Sequence, residues 1–182
     1  MMRVALVACA AFSILGCRDA SVSPGPPPGK TSAPVVLSSA AFAAGSSIPA
    51  QYTCDGVDQS PELAWSAVPD SAKSIAIVVD DPDAPHGTFT HWIVWNITPS
   101  TRTLGVAGNG GLAGGTSGTN DFDRIGYSGP CPPKGQLHHY RFNVYGLDTK
   151  LDLRPSDKRA DLDKAMASHV LAQGTLVGTF QH

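Results

Sequence analysis

The chain has 182 residues, 42% of them hydrophobic and 15% charged, with 13 basic against 15 acidic side chains. That length buries one sizeable core and is short for two ordinary domains. A formal charge of -2 supplies no basic field that would neutralise a phosphate backbone, so no nucleic-acid partner is expected.

In chain order, the opening MMRVALVACAAFSILGC combines Arg3, an apolar run from Val4 to Leu15 and a small residue before Cys17. This reads as a secretory signal, too short to span a membrane as a stable helix. Ile14-Leu15-Gly16-Cys17 resembles the bacterial lipobox, in which the cysteine is acylated after cleavage. Residues 1–16 are therefore expected to be a lipoprotein signal peptide and Cys17 the lipidation site, giving an exported chain anchored in the cell envelope, at the periplasmic or the cell-surface side. The alternative is an ordinary signal peptide cut nearby. Residues 17–34 follow as a Pro/Gly/Ser-rich tether. The stretch 18–34, RDASVSPGPPPGKTSAP, has five prolines and two glycines and almost nothing apolar, so it cannot form a core. Extended as polyproline II it would reach roughly 50 Å.

From Val35 to His182 the grammar is that of one mostly β domain, with Gly, Pro, Asn and Ser punctuating β-branched and aromatic runs. The expected strands are 35–37, a stretch around 63–65, 74–79, 91–97, 138–147 and 176–180. The spacing of Leu162, Ala165, Met166, His169, Val170 and Gln173 predicts a helix over 157–173, capped by Ser156 and stopped by Gly174, with His169 as a core histidine. Residues 105–118 hold seven glycines in fourteen positions and read as a long surface loop. It is not a phosphate-cradling P-loop, since the motif's lysine is absent.

DDPDAP, residues 80–85, ends one strand, and FTHWIVWNI follows after a short connection through His86 and Gly87. The two strands are expected to be hairpin neighbours, with Asp81 or Asp83 close to His91. Strict alternation places His91, Ile93 and Trp95 on one face and Trp92 and Val94 on the other. In GQLHHYRFNVYGLD, His138 and Tyr140 share a face, opposite His139 and Arg141. The loop 126–135, GYSGPCPPKG, could turn several backbone N–H groups toward one point as an anion nest. A carboxylate beside a histidine favours imidazolium and aims it, so these acidic residues need not repel an anion. On that reading Asp81 faces inward, Asp83 braces the turn and Asp80 is solvated. His86 and His182 read as solvated too.

Asp-Pro-Asp-Ala-Pro at 81–85, His91-Trp92, Gly129-Pro130-Cys131-Pro132-Pro133, His138-His139-Tyr140 and Tyr145-Gly146-Leu147-Asp148 together resemble the phosphatidylethanolamine-binding protein family, also called Raf-kinase-inhibitor-like proteins. YTCDG at 52–56 and SPELAW at 60–65 are similar to its bacterial branch. The resemblance implies a central antiparallel sheet packed on a smaller sheet with a few peripheral helices, and an anion cavity at one end of the sheet. Carried over by position, the cavity residues are Asp81, His91, Pro130, His138 and Tyr140, supported by Asp83, Pro85, Trp92 and Gly129, with a cis Ala84–Pro85 bond. Gly146, Phe180 and His139 depart from the bacterial pattern.

The expected function is a non-enzymatic, membrane-tethered binding protein for a small anion or phospholipid head group. His91, His138 and Tyr140 would act as donors, and the reading admits modulation of a protein target as well. The resemblance also admits a protease or kinase inhibitor acting through surface loops. Cys54 and Cys131 are candidates for a disulfide; otherwise they are buried thiols, or Cys131 is the nucleophile of a hydrolase. A metal held by Asp81, His91 and His138 is set aside because the histidine spacings match no zinc motif. No cofactor is expected.

Overall fold

The computed structural model describes residues 34–105 and 114–182. The expected signal peptide, the expected lipidation site Cys17, nearly all of the expected tether and the centre of the glycine-rich loop lie outside these residues. Among the described residues, no helix is long and apolar enough to cross a membrane.

Among the described residues, eight strands form two antiparallel sheets. The large sheet has the order β6-β4-β3-β7-β8, built from β3 (Ser74–Asp81), β4 (Phe89–Ile97), β6 (Thr116–Ser117), β7 (Leu137–Leu147) and β8 (Val170–Gln181). The small sheet is β1 (Leu37–Ser38), β2 (Leu63–Trp65) and β5 (Thr103–Leu104), in the order β1-β2-β5. A 3-10 turn (Ala50–Tyr52) and the helix α1 (Arg159–Met166) complete the elements.

β3 is buried along its whole length because both faces of the sheet are covered. Ile75, Ile77 and Val79 face the small sheet and pack with Leu37, Leu63, Trp65, Trp92, Phe142 and Phe180. Ala76 and Val78 face the other way, with Ile93, Trp95 and Leu147, beneath Leu162 and Met166 of α1. The architecture is therefore three layers: small sheet, large sheet, helix. Period-2 alternation along β3 and β7 decides which layer each side chain serves, and that rule reaches the polar ends of both strands. Asp81, His138 and Tyr140 continue the face toward the small sheet; Asp80 and Arg141 continue the face toward the helix.

The expected helix over 157–173 is much shorter. Lys158, not Ser156, is its N-cap. Ser168 adopts a left-handed φ of 70° just beyond Met166. The chain then reverses into β8, whose buried positions Val170, Ala172, Leu176, Gly178 and Phe180 alternate as a strand's do. The apolar spacing at 162–173 fits both periods, and pairing with β7 decides for the strand. His169 is half-exposed and donates to Asp148 at 2.7 Å rather than sitting in the core. Gly174 lies inside β8, where Val35 N donates to the Gln173 carbonyl at 3.0 Å. A Cβ at Gly174 would collide with the Val35 carbonyl. Gly174→Ala is expected to lower the unfolding free energy by about 1–3 kcal/mol, and an unchanged urea midpoint would refute that.

The end of the expected 105–118 loop is not loop: Thr116 and Ser117 pair with Trp95 and Val94 as the edge strand β6.

Candidate functional site

At one end of the large sheet lies a cavity of about 580 Å³. Its walls come from three places: the β3–β4 connection (Asp81, Ala84, Pro85, His86, Phe89, His91), the 121–133 segment (Phe122, Cys131, Pro132, Pro133) and His138 of β7. β3 and β4 are antiparallel hairpin neighbours, as expected from the short connection. Ala84–Pro85 is trans, because no cis peptide occurs among the described residues.

Asp81 is the hub. Its Oδ2 accepts from His138 Nδ1–H at 2.7 Å, and both side chains are about 95% buried. Its Oδ1 accepts the backbone N–H of Asp83 at 2.8 Å, which closes the turn. The carboxylate thereby fixes the tautomer and orientation of His138, whose Nε2 lies 3.4 Å from Gln136 Oε1. Asp83 braces the turn from outside: its Oδ2 accepts from both the backbone N–H and the ring Nδ1–H of His139, at 2.8 and 2.7 Å. Burial alone would raise the pKa of Asp83, but the His139 bonds outweigh it and hold the carboxyl below the usual range.

His91 reaches the cavity by a device that alternation does not predict. Val79 pairs with Trp92 and Asp80 with Thr90, so three residues of β4 span two of β3 and His91 is the extra one. This β-bulge re-aims the ring toward Tyr140, with ring centroids 5.3 Å apart, on the side of the sheet that Trp92 also packs on. The expected separation of His91 and Trp92 onto opposite faces is thus overturned. The ring also meets Phe89 and Phe122 edge-on, at 5.4 and 5.5 Å.

His91 Nδ1–H donates to the Ser128 carbonyl at 2.7 Å, leaving Nε2 as an acceptor. Burial pushes its pKa below the ordinary 6.5, against smaller opposing contributions from Ser128 and Asp81. A lowered pKa favours the neutral ring, against the imidazolium expected from sequence at this position. The unfolded chain takes up a proton near pH 6.5 that the folded one refuses, so this group's contribution is flat above that pH. As pH falls below 6.5 toward the lowered folded pKa, stability declines. His91→Gln is expected to flatten this part of the stability profile, measured by urea unfolding across the acid range; an identical profile would disprove it.

Tyr140 is fully buried, and its Oη makes no hydrogen bond of normal geometry although the Asp81 carboxylate stands close to it. Burial and the Asp81 carboxylate push its pKa up, so it remains a neutral donor. The Cys131 amide lies near this hydroxyl. Elsewhere the expected backbone nest is not formed. The amides of Gly126, Ser128, Gly129 and Gly135 already donate to Gly118 O, His91 O, Asp58 Oδ1 and His182 O. Cys54 and Cys131 are disulfide-bonded, with Cα atoms 5.4 Å apart, which removes the thiol that a Cys131 nucleophile would need.

Of the expected cavity residues, Asp81, Pro85, His91 and His138 line it. Pro130 is buried behind the wall, its carbonyl accepting from Cys54 N, and Tyr140 supports the His91 ring. Trp92 belongs to the core and donates to Ser117 Oγ at 3.1 Å. Gly129 is required by close approach, since a Cβ there would collide with the Tyr52 carbonyl.

One expectation about charged residues fails: Asp80 is buried with two arginines rather than solvated. His86 and His182 are exposed as expected, although His86 also lines the cavity and His182 pairs with Asp55 at 2.6 Å. Sequence reasoning also missed Asn120. Wholly buried, it donates from Nδ2 to His91 O, Gly126 O and Ser128 Oγ, and accepts from Phe122 N and Arg124 N at Oδ1. Its Asn-Asp sequence was a turn signal that could have flagged it.

The described chain matches the family model for phosphatidylethanolamine-binding protein over residues 38–181. A UPF0098 protein of Pyrococcus horikoshii is 52% identical over 139 residues, covering 74% of this chain and 70% of its own. A Mycobacterium tuberculosis protein named "Putative lipoprotein LppC" is 42% identical over 155 residues, covering 85% of this chain and 76% of its own. The crystal structure of Escherichia coli YbcL, described as a new member of the mammalian PEBP family, superposes with a TM-score of 0.77 at 31% identity. It covers 82% of this chain and 99% of that one. The chain belongs to the phosphatidylethanolamine-binding protein family.

Proposed function

We propose that this domain is a non-enzymatic binding protein, held at a bacterial membrane through an acylated Cys17, whose cavity accepts a phosphate-like head group or a small carboxylate. The observation that carries the reading is the buried Asp81–His138 pair in the cavity wall. The anion would accept from His138 Nε2–H, the ring then carrying a proton on each nitrogen, with the Cys131 amide as a neutral donor. His91 is neutral beforehand and gains its proton together with the ligand, so binding should strengthen as pH falls. The lipobox and the name of the LppC relative support the anchor.

The test is calorimetric titration of inorganic phosphate and of phosphoethanolamine at pH 6 and pH 8. Saturable binding, tighter at pH 6, is expected. No saturable heat up to about 10 mM, a ceiling already near the weakest useful affinity, would overturn the proposal.

A further inference from the structure

The opposite face of the large sheet holds a second cavity, of about 280 Å³, bounded by Asp80, Arg141, Arg159, Tyr145 and Gln173 together with the Asn143–Thr175 pair. Asp80 follows from the same alternation as Asp81, one residue away and facing the other layer. Its carboxylate is 98% buried and each oxygen is taken: Oδ1 accepts Arg141 Nε–H at 2.7 Å and Oδ2 accepts Arg159 Nη1–H at 2.9 Å. The two arginines come from separate elements, β7 and α1, so Asp80 fixes both guanidinium groups in place. Asp163 takes Arg159 Nε–H from the helix side at 2.7 Å. Burial disfavours the charge on Arg159, but Asp163 and Asp80 more than offset this and raise its pKa, so Arg159 stays charged.

The cavity is rich in donors and poor in acceptors. Two guanidinium groups offer about ten N–H bonds between them. Among the described residues only three are matched to a carboxylate oxygen, and both terminal amino groups of Arg141 and Nη2 of Arg159 have no protein acceptor. The acceptor of Asn143, Oδ1, is already occupied by Thr175 Oγ1–H at 2.8 Å. The side-chain amide of Gln173 and the hydroxyl of Tyr145 are not engaged with the protein, and burial raises the Tyr145 pKa so that its proton stays on. With Nε engaged, Arg141 presents its paired amino groups end-on, the geometry that grips two oxygens of one ligand at once.

We propose that this cavity is a second anion site, taking a small carboxylate or phosphate-type oxyanion end-on against Arg141, with Arg159, Gln173 and Tyr145 as flanking donors. It stands on the other side of the sheet from Asp81 and His138 and does not depend on the first cavity binding anything.

Arginine Nε–H and glutamine amide signals in nitrogen-15 NMR read the site directly. In the His138→Gln protein, which disables the first cavity only, inorganic phosphate and acetate are titrated separately, with sodium chloride at matched ionic strength as control. The expected result is saturable shifts of Arg141, Arg159 and Gln173 with at least one of the two anions, the tighter one naming the ligand chemistry. Arg141→Gln should weaken this binding at least about tenfold by removing the fork, with Arg141→Lys between the two. Gln173→Leu, which leaves the Asp80 network intact, should weaken it about threefold. Shifts no larger than those with chloride, or growing linearly without saturation, would mean that only water fills the cavity. Unchanged affinity in both Arg141→Gln and Gln173→Leu would equally overturn the site.

Discussion

In its first cavity, the His138→Gln protein is expected to bind inorganic phosphate at least about 30-fold more weakly than the unaltered chain, close to 2 kcal/mol for a lost hydrogen bond to a charged group. Glutamine is the informative replacement. Its amide can still donate to Asp81 Oδ2, now served by His138 Nδ1 at 2.7 Å. Removing the partner outright, as in His138→Ala, would leave a buried carboxylate unpaired at about 3–5 kcal/mol and could unfold the domain. What glutamine cannot supply is the second ring nitrogen on the cavity side, held at a fixed angle by the first. Affinity equal to the unaltered chain in a folded His138→Gln protein would remove His138 from the site and with it the assignment of the anion pocket.

Replacing Cys54 and Cys131 together by serine is expected to lower the unfolding free energy by about 4 kcal/mol. The bond joins residues 77 apart, and in the chain-entropy account a loop of that length restricts the unfolded state by this amount. For a domain of this size that is roughly a 2 M fall in urea midpoint. The bond also fastens the cavity wall. Cys131 lines the cavity, while Cys54 sits in the segment where the Tyr52 carbonyl accepts the Tyr127 hydroxyl at 2.7 Å. Phosphate affinity should therefore fall alongside stability in the double variant. A midpoint within about 0.3 M of the unaltered protein would show that the bond constrains little, since typical urea slopes convert that to well under 1 kcal/mol.

Much of the sheet was legible because long strands announce themselves by composition and alternation: Ser74 to Val79, Leu63 to Trp65 and the β7 run lie where they were expected. His138 and Tyr140 were placed on one face by the same rule, for the face of a strand follows from counting in twos, while Asp81 joined them only through the family resemblance. Counting failed where a residue was added or a period was ambiguous. His91 was assigned to the wrong face because nothing in FTHWIVWNI marks an extra residue against β3. Residues 167–173 satisfied the helical spacing while belonging to a turn and to β8, and only pairing with β7 resolves the two. Asp80 looked solvated because its arginine partners are 61 and 79 residues away, a separation local reasoning cannot bridge. Trp92 and Pro130 were placed in the cavity by motif position, yet one belongs to the core and the other lies behind the wall.

The bulge also separates two kinds of instruction in the chain. Because Thr90 and Trp92 already meet consecutive partners on β3, the ladder would continue unbroken if the residue between them were absent. Position 91 is surplus to pairing. Its carbonyl turns outward instead, accepting from Ser128 N at 3.1 Å and Asn120 Nδ2 at 3.2 Å, so the supernumerary residue both displays a ring to the cavity and tethers the loop that walls it. A lineage could therefore exchange the chemistry displayed here, or gain and lose it through a single-codon insertion or deletion, without renegotiating the register of the sheet beneath.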